Sequence, residues 1–577
     1  MTQLLVHGGT VLTQDPVRPA AAAMLVESGA VVAIGGEDEV RAAARSDAAS
    51  LDLDGRVVCP GFIDAHNHFV FSILAELGVD CRTPPVSSVR ELLEKLAEVV
   101  ARTPDGDWVR GWGYSEFELA EGRHPTLAEL DRIAPSNPLV IEHTSGHMSV
   151  ANSIALAAGG ITQSSSDPAG GMIVRHPITR RLTGLLHEQA SELVDVVARN
   201  AVLTADPDAC LHAAHTVAAR FAALGLTTIC DPCVPAEVQP LYQALSADPE
   251  FGLRLVGLGM GEAGKFSPPV DLLGRGAEDR PDGFALSGIK FFADGGEQCG
   301  VCMSLGGALR GALRSAANAI RYRSLMAARL FAAPRTRLGA DGNLHAGIRF
   351  YPDDQLATLL QRTVGEGLTA AVHAMGNEAI DQVLGAVEQA RRHGPDDARF
   401  RMEHVMMPAE GSLSRIADLG VAGVVQPIFV HDYGFPLLLT GMNREFRTLA
   451  FRDLIDQGVL LAGSSDAPVS DPAVLPAVEA AVTRRTAHGE VLDADQALTV
   501  EEALALYTRN AAAVLGLGPD HGSLRTGSVA DFVVLDADPR TVEPSAIGRI
   551  QVEETYREGR RVHVRSAGAT GTLRVSD

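Results

Sequence analysis

The sequence predicts an α/β protein whose main part is a TIM-like (β/α)8 barrel. Short apolar runs typical of buried strands alternate with amphipathic helical patterns through the middle of the chain. Eight such units favour a closed barrel over an open doubly wound sheet. Two further features predict additions to the barrel: strand-like segments at both chain ends, and a gap of about 160 residues after the first strand candidate, far longer than an ordinary loop.

The predicted barrel strands are short, apolar and mostly followed by a polar residue. They cover residues 57–66, 226–230, 253–258, 288–293, 369–373, 400–404, 421–427 and 459–464. Amphipathic periodicity predicts helices at 88–101, 207–224, 353–365, 377–391 and 408–419. The order of strand and helix is that of successive βαβ units, which form a parallel sheet.

Both chain ends read as short strands separated by Gly and Pro turn signals. The predicted strands are 4–6, 9–13, 23–27 and 30–34 near the beginning, and 530–535, 552–558 and 561–565 near the end. These ends predict one small β-sandwich, residues 1–58 with 518–577, beside a barrel at 59–517. Two unrelated β appendages would give the same pattern. The long gap predicts an inserted subdomain at about 80–200, which contains both tryptophans, Trp108 and Trp112.

The composition is that of a globular protein with an acidic surface. Asp and Glu number 72 against 49 Lys and Arg, a formal net charge of −23. This balance argues against nucleic acid or an anionic membrane as partner, because phosphate binding needs a basic surface. The first residues lack the pattern of a signal peptide, no apolar run is long enough to cross a bilayer, and seven cysteines fit a reducing cytoplasm. We therefore expect a cytoplasmic protein.

The end of the first predicted strand carries two histidines, His66 and His68, spaced i, i+2. Alternate residues of a strand point to the same face, so the two imidazoles can converge on one metal ion. The active sites of (β/α)8 barrels lie at the carboxyl ends of the strands. The position of the pair therefore indicates a metal site.

Three further strand ends carry metal-binding side chains: His373 on the fifth strand, His404 on the sixth and Asp466 after the eighth. Each could be a packed, hydrogen-bonded residue when taken alone. Together with His66 and His68 they predict a metal centre at one end of the barrel.

Lys290 lies in the fourth predicted strand and is one of three lysines in the chain, with Lys95 and Lys265. A protonated amine would repel a metal cation. A buried Lys290 amine could instead react with CO2 to form a carbamate, whose two oxygens could bridge two metals. The alternative is a partly buried lysine paired with Asp294.

Four segments around these residues, 60–68, 371–377, 402–405 and 463–469, resemble signature segments of amidohydrolase family 3 in the amidohydrolase superfamily. Segments 124–131 and 146–153 extend the similarity to the branch that contains N-substituted formamide deformylases. The resemblance spans nearly the whole chain.

The resemblance implies the ligand set. His66 and His68, with Asp466, would bind the more buried divalent metal, Lys290 would bridge, and His373 and His404 would bind a second metal. Zinc is the expected ion, one or two per chain, because some relatives use a single metal. The resemblance also implies a homo-oligomer, with a dimer favoured.

The implied reaction is hydrolysis of the C–N bond of a small amide, N-formyl compound or cyclic amide by a metal-activated hydroxide. Asp466 would be the catalytic residue, which takes a proton from the nucleophile and passes it to the leaving nitrogen. A deaminase, esterase or decarboxylase on the same scaffold is the alternative, and a catalytically silent scaffold is a third hypothesis.

Further residues are predicted to contact the substrate, from the insert and from strand ends: His147, Trp112, Tyr114, Asp294, Gln426 and Phe429. His147 could equally serve to order its loop. The chain departs from the family pattern at Asn377, where relatives commonly have Asp, and at Phe429, where the family often has His. These departures concern the substrate pocket.

Two Cys-x-x-Cys pairs, Cys230/Cys233 and Cys299/Cys302, follow the second and fourth strands. The two pairs could hold a structural zinc if their loops met. Their separation is far longer than in a zinc ribbon, which favours free thiols.

Overall fold

The structure is a computed structural model that describes residues 3–168, 170–261, 284, 286–296, 299–322 and 336–566. Within these ranges no helix is both long and apolar enough to cross a membrane.

The centre of the molecule is a parallel sheet whose strands follow one another in chain order. The eight strands are Phe62–Asp64, Leu226–Val234, Arg254–Met260, Leu286–Phe292, Thr369–Ala374, Phe400–His404, Ala422–Val425 and Leu461–Gly463. The first and eighth strands approach each other, since the Ala65 N–H donates to the Gly463 carbonyl at 3.2 Å. The sheet is thus a nearly closed barrel, and the predicted fold class is confirmed to that extent.

The first predicted strand, 57–66, differs from the structure. It divides at Gly61 into Val57–Pro60, which pairs with a sheet outside the barrel, and Phe62–Asp64, which pairs with the second barrel strand. A Cβ atom at position 61 would lie 2.5 Å from the Thr227 side chain. Gly61 therefore permits the close packing at which the chain passes from one sheet to the other.

Helices surround the barrel and cover its apolar outer face. The five helices predicted from the sequence begin and end within about two residues of the observed bounds. A difference of this size is the usual uncertainty of helix ends. The α-helices are Phe69–Leu77, Pro207–Ala223, Gln239–Ala247, Asp353–Gly365, Asn377–His393, Glu410–Asp418, Phe429–Thr440, Phe451–Asp456, Val474–Thr483, Val500–Leu506 and Arg509–Leu515. Short 3₁₀ helices cover Ala236–Val238, Met442–Arg444, Ala494–Gln496 and Pro544–Arg549.

The strands of the two chain ends form two sheets. One contains, in spatial order, Ala30–Gly35, Ala23–Glu27, Gln3–His7 and Ala49–Asp52, with helix Glu37–Ala43 against it. The other contains Arg560–Val564, Val552–Arg557, Phe532–Leu535, Val57–Pro60, Thr10–Leu12 and Ala20–Ala21. Val6 and Val26 of the first sheet share a buried cluster with Val58 and Phe532 of the second. Strands from both ends thus pair in one sheet, whereas the limits 1–58, 59–517 and 518–577 stay predictions.

The segment between the first and second barrel strands forms a sheet of its own, in the order Gly171–Arg175, Leu182–Glu188, Met148–Ala151, Leu139–His143, Val109–Tyr114 and Val79–Asp80. Its helices are Val89–Val100, Leu127–Ile133, Ser153–Ala158 and Gln189–Ala205. The predicted limits of this insert, about 80–200, stay a prediction.

A small sheet that the sequence did not predict follows the fourth barrel strand. It contains Val301–Ser304, Asn343–Ala346 and Thr336–Leu338, and helix Leu305–Arg321 comes directly after its first strand.

Candidate active site

A cavity lies at the carboxyl end of the barrel strands, between the barrel and the insert. All six side chains predicted to bind metal line it: His66, His68, Lys290, His373, His404 and Asp466. They come from the ends of the first, fourth, fifth, sixth and eighth strands. The parallel sheet brings them together because the carboxyl ends of all its strands meet at one edge.

His66, His68 and Asp466 form the tightest group. The Nε2 atoms of His66 and His68 lie 3.2 and 3.1 Å from Asp466 Oδ1, and 3.3 Å from each other. Each residue offers one donor atom within 4.8 Å of the other two. Such spacing suits a common metal ion, since the metal–ligand bonds of zinc are about 2.0–2.2 Å long.

Asp64 holds the two loops of this group together. Its carboxylate accepts hydrogen bonds from the Ser465 N–H at 3.0 Å and from the Asn67 amide at 2.9 Å. In addition, the Asp466 N–H donates to the His66 carbonyl at 2.8 Å. The first and last strands are thereby fixed to each other next to the ligands.

His404 and Asp466 both have left-handed backbone conformations, with φ of 73° and 61°. Residues other than glycine adopt this region rarely, and such strain is concentrated at functional sites. His404 is oriented further by Gln426, whose Oε1 lies 2.9 Å from His404 Nδ1. Gln426 is itself held by a hydrogen bond from its amide to Ser464 Oγ at 2.9 Å.

The other three predicted ligands suit a metal as well. Lys290 is fully buried, and neither its Nζ nor His373 Nε2 has a hydrogen-bond partner among the described residues. Burial lowers the pKa of His404 to about 3 and, with the neighbouring His404 and Lys290, holds that of His373 well below its usual range. Both imidazoles are therefore neutral, the form that binds metal. The neutral imidazoles of His373 and His404 fit a bound cation, and the Lys290 amine, which has no hydrogen-bond partner in the described part of the chain, would fit only after conversion to the predicted carbamate.

Glu403 is a residue of the site that the sequence did not single out. Its Oε2 lies 2.6 Å from His66 Nδ1, and the Arg401 guanidinium donates to it in turn. Burial alone would raise the pKa of Glu403, but Arg401, Lys290 and His66 together hold it well below the usual range. A carboxylate at Nδ1 keeps the proton there and leaves Nε2 of His66 available for a metal.

Asp466 is ionised in this setting. Its burial would raise its pKa, yet the adjacent His66 and His68 hold it well below the usual range of a carboxylic acid. Asp466 can therefore accept a proton or bind a cation.

The predicted substrate contacts divide into two groups. Trp112 and His147 line the cavity. His147 Nδ1 also lies 2.8 Å from Glu188 Oε2 and 3.1 Å from the Gly296 nitrogen, so His147 contacts neighbouring loops. Its role towards a substrate stays a prediction.

The other four residues predicted to contact the substrate do not line the cavity and are buried: Tyr114, Asp294, Gln426 and Phe429. Tyr114 contacts His124, Gln426 contacts His404, and Phe429 stacks on His404 with ring centroids 6.4 Å apart. Asp294 accepts the N–H groups of Gly300, Met375 and Gly376, and lies 3.5 Å from His373 Nε2. These contacts support the histidines that are predicted to bind metal and the neighbouring loops, and the substrate roles stay predictions.

The insert adds charged side chains to the cavity that the sequence did not single out. Glu192, Asp195 and Arg199 share one face of helix Gln189–Ala205, and Glu142 lies on the strand Leu139–His143. The i, i+3, i+7 spacing of Glu192, Asp195 and Arg199 is the sequence signal that could have revealed this helix face. The outer part of the cavity is consequently polar.

The cysteine pairs do not form one cluster. Cys230 and Cys233 are buried in the second barrel strand, Cys299 and Cys302 are partly exposed, and all seven cysteines are free thiols. Among the described residues, no group of four cysteines has the spacing of a metal site.

Comparison with known proteins agrees with this geometry. Residues 50–563 match the amidohydrolase family. The chain is 33% identical to the N-substituted formamide deformylase of Arthrobacter pascens over 97% of this chain and 98% of that protein. It is 28% identical to the protein LONG AFTER FAR-RED 3 of Arabidopsis thaliana, over 93% of this chain and 88% of that protein.

The fold is also found in a solved structure, an uncharacterized metal-dependent hydrolase from Pyrococcus horikoshii OT3. The TM-score is 0.71 at 22% identity, over 94% of this chain and 99% of that chain. The family match and the deformylase relative, each spanning most of the chain, confirm the resemblance seen in the signature segments. The chain belongs to the amidohydrolase family, on its formamide deformylase-like branch.

Proposed function

We propose that this protein is a metal-dependent hydrolase that cleaves the C–N bond of a small amide, with N-substituted formamides as the first substrates to test. The observation that carries the proposal is the convergence of all six predicted ligands on one cavity. The substrate class is suggested by the name of the Arthrobacter relative, which is similar over almost its whole length.

We infer that His66, His68 and Asp466 hold one divalent metal, zinc by the chemistry of its donors, and that His373 and His404 hold a second. Lys290 would add a further ligand as a carbamate, formed when its neutral Nζ bonds to the carbon of CO2 and loses a proton. A bound divalent metal supplies Lewis-acid activation of water and of the substrate carbonyl.

Asp466 is the proton carrier in this proposal. Its carboxylate accepts a proton from water as the water oxygen bonds to the carbonyl carbon, and returns it to nitrogen as the C–N bond breaks. The products from a formamide are formate and an amine. The low pKa of Asp466 keeps its carboxylate ionised before the reaction.

The cavity wall suggests the character of the substituent on nitrogen. Phe71, Trp112 and Phe292 line the cavity beside the ligands. Aromatic walls favour a hydrophobic or aromatic substituent. A homodimer and a cytoplasmic location remain predictions from the sequence.

The experiment measures formate and amine release from N-formyl amines with aromatic substituents, using wild-type protein loaded with zinc. We expect turnover by the wild type and a loss of about 10²–10⁴-fold in kcat for Asp466→Asn, because that variant lacks the proton acceptor. Asp456→Asn, an exposed position on a surface helix, is the matched control and should retain activity.

Two results would contradict the proposal at different points. Near-normal turnover by Asp466→Asn with metal still bound would remove the role of Asp466. Absence of hydrolysis of any formamide or amide by metal-loaded wild-type protein would remove the proposed reaction.

A further inference from the structure

A second group of metal-binding side chains lies on the small three-stranded sheet, outside the cavity. Cys302, Asp341 and His345 each offer one donor atom, and these atoms all lie within 4.8 Å of one another. Among the described residues, this is the one such group besides His66, His68 and Asp466.

The sheet itself places the three donors together. Cys302 and His345 are directly opposite each other on the antiparallel strands Val301–Ser304 and Asn343–Ala346. Asp341 lies in the turn before the second of these strands, where the Asn343 N–H and side-chain amide donate to its carboxylate at 3.1 and 3.0 Å. Two strands and one turn thus direct a thiol, an imidazole and a carboxylate to one point.

His345 is oriented as a metal ligand would be. Its Nδ1 lies 3.0 Å from Glu378 Oε2, whereas its Nε2 lies 3.1 and 3.2 Å from the two oxygens of Asp341. A histidine bound to metal through one nitrogen commonly donates its other N–H to a carboxylate, as His66 does to Glu403. For His345, Glu378 is the carboxylate in this role.

Gly339 leaves the space that this arrangement needs. A Cβ atom at position 339 would lie 2.4 Å from Asp341 Oδ1 and 2.5 Å from His345 Nε2. Any larger residue would push the two donor groups apart. The absence of a side chain at Gly339 therefore allows Asp341 and His345 to lie this close together.

We propose that Cys302, Asp341 and His345 form a second, peripheral metal site that binds a divalent transition metal, zinc by the chemistry of its donors. Thiolate, imidazole and carboxylate are the three ligand types that zinc takes, and water would complete four-coordination. Soft sulfur disfavours Mg²⁺ and Ca²⁺, which prefer oxygen ligands.

Hydrogen bonds to one barrel helix connect these three residues to the barrel. Asn377 at the start of helix Asn377–His393 exchanges two hydrogen bonds with the backbone of Cys302, both 2.9 Å long. Glu378 of the same helix holds His345, and the helix follows the strand that carries His373. The peripheral metal would thus stabilise the small sheet beside the strand that bears a catalytic-site ligand.

The competing explanation is an ion-pair group without metal. Contact with Glu378 and Asp341 raises the pKa of His345, and a protonated imidazole between two carboxylates would be stable by itself. That arrangement would not use the thiol of Cys302. The two explanations therefore differ in whether sulfur binds the cation.

The test is the absorption spectrum of the full-length protein in which Co²⁺ replaces the native metal. We expect a thiolate-to-cobalt charge-transfer band in the wild type, its loss in Cys302→Ser, and a fall of about one equivalent of bound metal per chain. Cys299→Ser, three residues earlier and just before the strand, is the matched control and should keep the band. His345→Gln is the second variant and should also lose it.

A wild-type protein without the band, or a band that survives Cys302→Ser, would overturn the proposal. This result is independent of the proposed reaction, since the proposed ligands of the catalytic cavity contain no sulfur. Formamide hydrolysis is measured separately on the same samples.

Discussion

Glu403 shows how one buried carboxylate can orient a predicted metal ligand. It lies between the cationic Arg401 and the imidazole of His66, with both its side chain and that of Arg401 almost fully buried. The Arg401 guanidinium also donates to the Ala65 carbonyl at 3.0 Å, which ties this pair to the first strand. Glu403 thus determines which nitrogen of His66 faces the cavity.

We expect Glu403→Gln to weaken metal binding in the cavity by about 10–100-fold, because a neutral amide holds the Nδ1 proton less firmly and makes Nε2 a poorer ligand. The measurement is a competition titration with a chromophoric chelator on protein shown to be folded by circular dichroism. Glu410→Gln, an exposed residue at a helix start, is the control. Unchanged metal affinity in Glu403→Gln would contradict the orienting role.

The first barrel strand is the element on which local sequence and tertiary structure differ most. Residues 57–66 form one apolar run, yet the chain uses them in two sheets. Each sheet presents an apolar surface, so hydrophobic patterning cannot locate the boundary between them. The close contact between Gly61 and Thr227 locates it instead.

At this element we expect Gly61→Ala to lower the free energy of unfolding by about 1–3 kcal/mol, because the new methyl group would overlap the Thr227 side chain. Denaturant unfolding followed by circular dichroism measures the change. Gly385→Ala is the matched control, since no atom outside its own helix lies within 4 Å of a Cβ there. That control should be neutral or stabilising, as alanine favours a helix. Equal effects of the two substitutions would show that the contact at Gly61 is unimportant.

At the scale of the whole molecule, the proposed ligands join distant parts of the barrel. They come from the first, fourth, fifth, sixth and eighth strands, and Lys290 belongs to the fourth. A ligand that binds only the folded state stabilises it, by about 2.7 kcal/mol at a concentration 100 times its Kd. Metal in the cavity would therefore stabilise the barrel as a unit.

We expect Lys290→Ala to lose at least one metal equivalent from the cavity and to unfold at a lower temperature in the presence of zinc. Elemental analysis and calorimetry measure the two effects, with Cys302→Ser in the background so that the peripheral site does not contribute. The partly exposed Lys95 supplies the control, Lys95→Ala. A Lys290→Ala protein that keeps two metals without added short carboxylic acids would contradict the bridging carbamate.

The amino-acid sequence alone predicted the order of the barrel strands and the candidate metal ligands at their ends. Buried parallel strands need apolar side chains on both faces, so each appears as an unbroken apolar run, and the polar residue that follows it marks the catalytic edge. His66, His68, His373, His404 and Asp466 could be found in this way.

The side chains that support those candidate ligands could be identified only from the folded structure. Glu403 and His66 are 337 residues apart in the chain, and their contact depends on how the barrel closes. The contact of Gly61 with Thr227 and the group of Cys302, Asp341 and His345 depend likewise on strand pairing across long loops. Local patterning reports which face of an element is buried, whereas these contacts are set by the packing of whole elements against one another.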